Sequence, residues 1–268
     1  MELGGISKQN REMLGVLNRK VKGPFDLDFV SKILSISKAR AKNLVVFWVK
    51  QGWLTRIKRG LYSTVSLGTI RPDAQKEDPL VVADAVFGPC YIGGWNACEH
   101  WGFTEQIFND VVVFSSRRFN KKTQKIQGIN FIIKTVKKKS FFGLKSVWQG
   151  VNKISMSDPV KTIVDILDDP MLGGGIRNIA LVVREYFDSE SRDDNKLLEY
   201  IMKQGNRVIY KRLGYLMEYF KIEAPEVLIS CSKLLSSGYS KLDPSLPDKG
   251  KYMRRWNLKI NADLKGVS

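Results

Sequence analysis

Residues 37–62 read SKARAKNLVVFWVKQGWLTRIKRGLY. From Ala41 the apolar positions fall at Ala41, Leu44, Val45, Trp48 and Val49, the i, i+3, i+4, i+7, i+8 places of one buried helical stripe. Opposite them lie Ala39, Lys42, Asn43 and Lys50, with Arg40 at the edge. Ser37 is placed to cap the helix start, and Gly52 to take the left-handed conformation that ends it. Trp53–Ile57 and Leu61–Thr64 then read as short strands joined by Lys58-Arg59-Gly60. A helix with a cationic outer face followed by a cationic hairpin is the layout by which a winged helix-turn-helix meets DNA. The helix enters the major groove and the hairpin lies on the flanking backbone.

That layout divides the expected contacts. Lys42 and Asn43, near the helix start, are placed to reach base edges, where Asn pairs with adenine and Lys with guanine. Ser37, Lys38, Arg56, Lys58 and Arg59 are expected on phosphates, with Arg40 and Lys50 on the same cationic face. Val46 and Phe47 fall off the buried stripe. Either a second domain covers them or they meet thymine methyl groups.

Upstream, residues 7–22 read as a first helix stopped by Gly23-Pro24, and Asp26 caps a second that runs through Val30, Ile33 and Leu34. Ser35-Ile36 is the turn into the third. Residues 1–66 thus make one winged unit. Residues 67–78 read as a polar linker without periodicity, and 79–268 as a larger α+β domain. In that domain the pattern gives helices at Pro79–Phe87 and Tyr91–Gly102, then strands at Asp110–Ser115 and Gly128–Val136 and two more within Phe141–Met156. Helices follow at Pro159–Leu167, Gly175–Tyr186, Asn195–Lys203, Arg207–Phe220 and Pro225–Leu234, before a last strand at Arg255–Asp263. The expected fold class is therefore α+β, with strands first and helices after.

The formal charge is +17 over 268 residues, and residues 1–66 hold 13 Lys/Arg against 4 Asp/Glu. Such an excess favours a polyanionic partner, nucleic acid above all. No run approaches the roughly 18 apolar residues of a membrane span, and the N-terminus lacks a signal-peptide core. A cytoplasmic protein with no membrane partner is expected. Cys90, Cys98 and Cys231 form no framework and suit reduced thiols. His100, the single histidine, and Cys98 beside it are too few for a zinc site, so neither a metal nor a cofactor is expected.

A second basic run holds Arg117, Arg118, Lys121, Lys122, Lys137, Lys138 and Lys139, interleaved with apolar residues. It reads either as a second nucleic-acid surface following a phosphate backbone or as a hairpin whose edge lysines discourage aggregation. Asp158, Asp165, Asp168 and Asp169 raise the thought of metal-dependent catalysis. The simpler reading is helical: Asp158 caps, Pro159 takes the first position, and Ile163, Val164, Ile166 and Leu167 pack. Gly173-Gly174-Gly175 lacks the Lys-Ser/Thr partner of a phosphate loop. No catalytic residue is assigned.

Four segments carry a family resemblance: GWLTRIKRGLYS (52–63), YIGGWNACEHWGFTE (91–105), SDPVKTIVDILDDP (157–170) and DPSLPDKGKYMRRWNLKIN (243–261). In this order they resemble the AbiEi-type antitoxins, regulators of bacterial abortive-infection toxin–antitoxin pairs. The resemblance implies a winged domain that binds repeats in its own promoter and represses the operon. It also implies a C-terminal domain that counters a nucleotidyltransferase-like toxin, without requiring a stable complex with it. Two other readings remain: an enzyme acting on nucleic acid through residues 117–139 and the 158–169 carboxylates, and a winged repressor whose second domain senses a ligand.

Overall fold

Ser7, Asp26 and Ser37 each open a helix in the computed structural model of the chain, which describes residues 6–65 and 76–267. Most of the expected linker therefore lies outside the described residues. The Asp26 carboxylate accepts from the Phe29 N–H at 2.8 Å, and the Ser37 hydroxyl from the Arg40 N–H at 3.3 Å. These caps start α2 (Leu27–Ile33) and α3 (Lys38–Lys50), behind α1 (Lys8–Lys20). Leu14, Leu17, Val30, Ala41, Val45 and Trp48 form the core between the three helices. The Trp48 indole N–H reaches Asn10 Oδ1 at 3.0 Å and ties α3 to α1.

Gly52 ends α3 with φ of 77°, where a Cβ would be strained. The Trp53 N–H turns back to the Trp48 carbonyl at 2.9 Å, and the Gly52 N–H to Val49 at 3.1 Å, the paired bonds of a Schellman stop. The hairpin β2 (Leu54–Lys58) and β3 (Leu61–Thr64) follows as expected. Asp26 caps α2 as expected, and Phe25–Asp26 also form a two-residue strand, β1, that the sequence did not suggest; it pairs with β3, so the sheet order is β1-β3-β2.

The rest of the chain is built on a six-stranded mixed sheet of order β6-β7-β5-β4-β9-β8. Its strands are β4 (Cys90–Ile92), β5 (Val111–Ser115), β6 (Thr123–Ile126), β7 (Ile129–Thr135), β8 (Leu144–Gln149) and β9 (Asn152–Ser157). One face packs on α4 (Pro79–Phe87) through Val82, Val86 and Phe87. Beyond the sheet, α6 (Pro159–Asp168), α7 (Ile176–Asp188), α8 (Asp194–Gln204), α9 (Val208–Phe220) and α10 (Pro225–Lys233) share a second core. The fold is α+β, with the helices of this part following most of its strands.

Two expected elements are corrected. Tyr91–Gly102 is not one helix: β4 occupies Cys90–Ile92 and a short α5 spans Trp95–His100. Gly94 makes the break, because its φ is 59° and a Cβ there would run into the Leu172 carbonyl. Arg255–Asp263 is not one strand either. Residues Arg254–Trp256 form a 3₁₀ turn, and β12 (Leu258–Ile260) sits between β10 (Ser240–Lys241) and β11 (Lys251–Met253).

The hairpin belongs to both parts of the molecule. Leu54 and Tyr62 pack on the helices α1–α3, whereas Ile57 is buried in the core of the six-stranded sheet and Leu61 packs against it. A β-bulge between Arg56 and Lys58 re-aims Ile57.

Candidate nucleic-acid interface

The solvent face of α3 is the one the stripe predicts. Ala39, Arg40, Lys42, Asn43 and Lys50 are exposed. Val46 and Phe47 join them at 56% and 41% exposure, so neither is covered by another part of the described chain. Phe47 instead stands edge-on to Trp53 at the foot of the hairpin, ring centres 5.7 Å apart. This face therefore combines cations, one amide and two apolar side chains, the mixture that base edges and thymine methyl groups can meet.

Two of the expected phosphate contacts are engaged within the protein. The Ser37 oxygen accepts the Arg40 N–H as the cap of α3, and Lys38 pairs with Asp28 at 2.6 Å. Asp28 raises the Lys38 pKa through that hydrogen bond and its charge. Arg56, Lys58 and Arg59 are exposed and make no ion pair among the described residues.

Sheet topology gathers the second basic run. β5 and β7 are parallel, with Ser115 opposite Thr135, so both strands end on the same side of the sheet. β6 is antiparallel to β7 and begins there, with Thr123 opposite Ile132. Segments 116–122 and 136–140 consequently leave the sheet side by side. The Val136 N–H donates to the Ser115 carbonyl at 2.9 Å, and the Ile133 N–H to Lys122 at 2.7 Å. Arg117, Arg118, Lys121, Lys122, Lys137, Lys138 and Lys139 are all exposed, and none forms an ion pair among the described residues. β6 is also the sheet's edge strand, so the protective reading of these lysines fits the same geometry.

Ile57 and Leu61 seat the hairpin on the sheet's core, which brings Lys58 within range of the Arg117 charge. Burial lowers the Lys58 pKa, and the nearby Arg117 guanidinium lowers it further. Arg117 is itself fixed: it donates to the Gly88 carbonyl at 3.1 Å at the end of α4 and lies 5.2 Å from the Phe119 ring centre. Sequence reasoning treated the two basic segments as separate, and no local signal marks their meeting.

The 158–169 carboxylates are occupied. Asp158 caps α6 through the Lys161 N–H at 2.8 Å and accepts from Tyr200 at 3.2 Å and Lys196 at 2.9 Å. Asp165 pairs with the fully buried Lys161 and accepts the Tyr91 hydroxyl at 3.1 Å; burial pushes its pKa up to about 6. Asp168 accepts from Gln204 at 3.1 Å and Asn206, while Asp169 pairs with Lys134. Among the described residues no group of three or more His, Cys, Asp or Glu converges as metal ligands. His100 stands edge-on to Trp101 with its pKa lowered by burial, and burial raises all three thiols, Cys90 and Cys231 to about 12.

Beyond the hairpin segment, the other three segments carrying the family resemblance also hold the fold together. Asn96 accepts the Val112 N–H at 2.8 Å and Trp95 donates to the Asp110 carbonyl at 2.8 Å, which fixes α5 to β5. SDPVKTIVDILDDP is the cap and buried face of α6. In the last segment Asp243 accepts the Ile176 N–H at 2.9 Å, capping α7, and the buried Trp256 donates to Glu218 at 2.6 Å.

In fold, the chain is similar to the crystal structure of the RV2827C protein from Mycobacterium tuberculosis, with a TM-score of 0.66 over 96% of this chain and 92% of that one. The two are 11% identical, a level at which the likeness concerns the fold alone. No family model and no curated protein matches the sequence. Among the described residues no helix is long and apolar enough to cross a membrane.

Proposed function

We propose that the protein is a cytoplasmic DNA-binding antitoxin. It represses its own operon through α3 and the β2–β3 hairpin, acting as a winged helix, and counters a nucleotidyltransferase-like toxin through residues 79–268. The observation that carries the DNA-binding half is the set of exposed cations on the solvent face of α3 and on the hairpin, Arg40, Lys42, Lys50, Arg56, Lys58 and Arg59. Phosphates laid along these cations release counterions, while Lys42 and Asn43 face the groove. The antitoxin half rests on the sequence resemblance. The reading makes no use of the Asp158–Asp169 carboxylates, each of which already has a protein partner.

The test is titration of the full chain onto duplex DNA from its own promoter, against a scrambled duplex, over a range of salt. If five to seven cations meet phosphates, log K falls against log salt with a slope of roughly −4.5 to −6. A slope near zero removes the electrostatic basis of the proposal, and equal affinity for both duplexes removes the operator. Co-expression with a neighbouring toxin gene tests the other half.

A further inference from the structure

The small sheet β10-β12-β11 has two unlike faces. Leu242, Met253, Leu258 and Ile260 turn inward onto the helical core. The strand register places Lys241 beside Lys259 and Lys259 beside Tyr252 on the outer face. Tyr239, at the foot of β10, meets Tyr252 with ring centres 4.7 Å apart at 66°, and the two remain 47% and 63% exposed. The Lys259 ammonium lies 5.2 Å from the Tyr252 ring centre.

Cations flank Tyr252 along the chain: Arg254 follows two residues on, and Lys251 precedes it on the side of the strand that Met253 shares. Lys249, Lys251 and Arg254 are exposed and free of ion pairs among the described residues, whereas Lys259 is held by Asp248 at 3.1 Å and Arg255 by Glu218. The DNA-binding half of the proposed function does not use this surface. Large aromatic rings left open to water on a sheet face, with Lys259 against one ring and further cations next in the chain, match what unpaired bases and their phosphates require. Bases stack on the rings, and the flanking cations meet the backbone. Duplex DNA offers no free base faces, so the rings would be idle against it.

We infer that the outer face of β10-β12-β11 binds single-stranded nucleic acid, stacking bases on Tyr239 and Tyr252. With strands about 4.8 Å apart, three of them span room for two or three nucleotides.

The test uses the full chain, fluorescent 12-mers of oligouridine and oligothymidine, base-free polyphosphate, and promoter duplex. Tyr239→Ala with Tyr252→Ala is expected to weaken both single strands about tenfold or more, while Tyr239→Phe with Tyr252→Phe keeps the affinity within about twofold. Polyphosphate and duplex binding should be unchanged by either pair. Photo-crosslinking with 5-bromouridine should place the modified peptide at 239 or 252. The inference is overturned if the alanine pair leaves single-strand affinity unchanged, if polyphosphate is lost in parallel, or if the cross-links map only to 117–139. Because the duplex is read in the same preparations, loss of operator binding is scored separately from loss of single-strand binding.

Discussion

Lys58 stands opposite Leu61 in the hairpin, and Leu61 packs on the core of the central sheet, which brings the Lys58 ammonium within range of the Arg117 charge. Burial and the guanidinium's field together pull the Lys58 ammonium below its ordinary pKa. A phosphate seated at this point would supply the missing counter-charge and raise that pKa again. The contribution of Lys58 to DNA affinity is then complete below the pKa of the free protein and is lost as pH rises through that of the complex. Duplex affinity measured from pH 7 to 10 should fall, and Lys58→Arg should flatten the fall, since a guanidinium stays charged throughout. Lys58→Ala with Arg59→Ala should weaken all duplexes alike and reduce the salt slope by about 2.

Asn43 is exposed on the solvent face of α3 and makes no hydrogen bond through its side chain to another described residue. Asn43→Ala should therefore cost roughly 1–3 kcal/mol on the operator and leave non-specific binding nearly unchanged. Competition titrations with operator and scrambled duplexes measure both. An equal loss on each would mean that α3 is not reading bases through this residue.

Lys161 and Asp165 form a buried pair, with the carboxylate also accepting from Tyr91. Lys161→Met leaves the carboxylate buried and without its cation, and should cost about 3–5 kcal/mol in denaturant unfolding. Lys161→Met with Asp165→Leu should recover much of that loss. The pH dependence has a definite sign. Burial raises the folded-state pKa of Asp165 to about 6, above the ordinary carboxylate value of 3.8. Its stabilisation is thus full below about pH 4 and declines as pH rises through about 6. Comparing unfolding of the wild type and the double variant between pH 4 and 7 isolates that slope.

The sequence was most legible where local chemistry decides the outcome. Ser37 and Gly52 bound α3 because a cap and a left-handed stop act within a few residues. Asp158-Pro159 opens α6 for the same reason. β1 was hidden because two residues carry no periodicity, and its existence rests on pairing with β3, 37 residues later, Phe25 opposite Tyr62. Cys90–Ile92 is only three residues long and buried throughout, which leaves strand and helix indistinguishable by pattern. In the candidate interface, exposure of Lys42 and Asn43 followed from helical phase. The engagement of Lys38 by Asp28 and the approach of Lys58 to Arg117 are tertiary facts, set by how α2 and the sheet end are placed.

The buried position of Ile57 decides how the proposed repression and the proposed toxin control can be tested apart. Ile57 shares a core with Val82, Val86 and Ile154, and Leu61 packs against it, so a fragment beginning at residue 79 would uncover apolar surface. Failure of such a fragment would report misfolding as readily as lost function. Surface variants of the full chain avoid the difficulty, because Lys42, Asn43, Lys58 and Arg59 are exposed and outside every core. Their combined replacement by Ala should abolish repression of a reporter, leave denaturant stability within about 0.5 kcal/mol, and still rescue cells expressing the neighbouring toxin from an unrelated promoter. Ile57→Asp serves as the opposing control: a charge in this core should destabilise the whole molecule by several kcal/mol and remove both activities. If the four-residue variant is as stable as the parent but gives no rescue, DNA binding and toxin control are one activity, and the proposed division between the helix face and residues 79–268 is wrong.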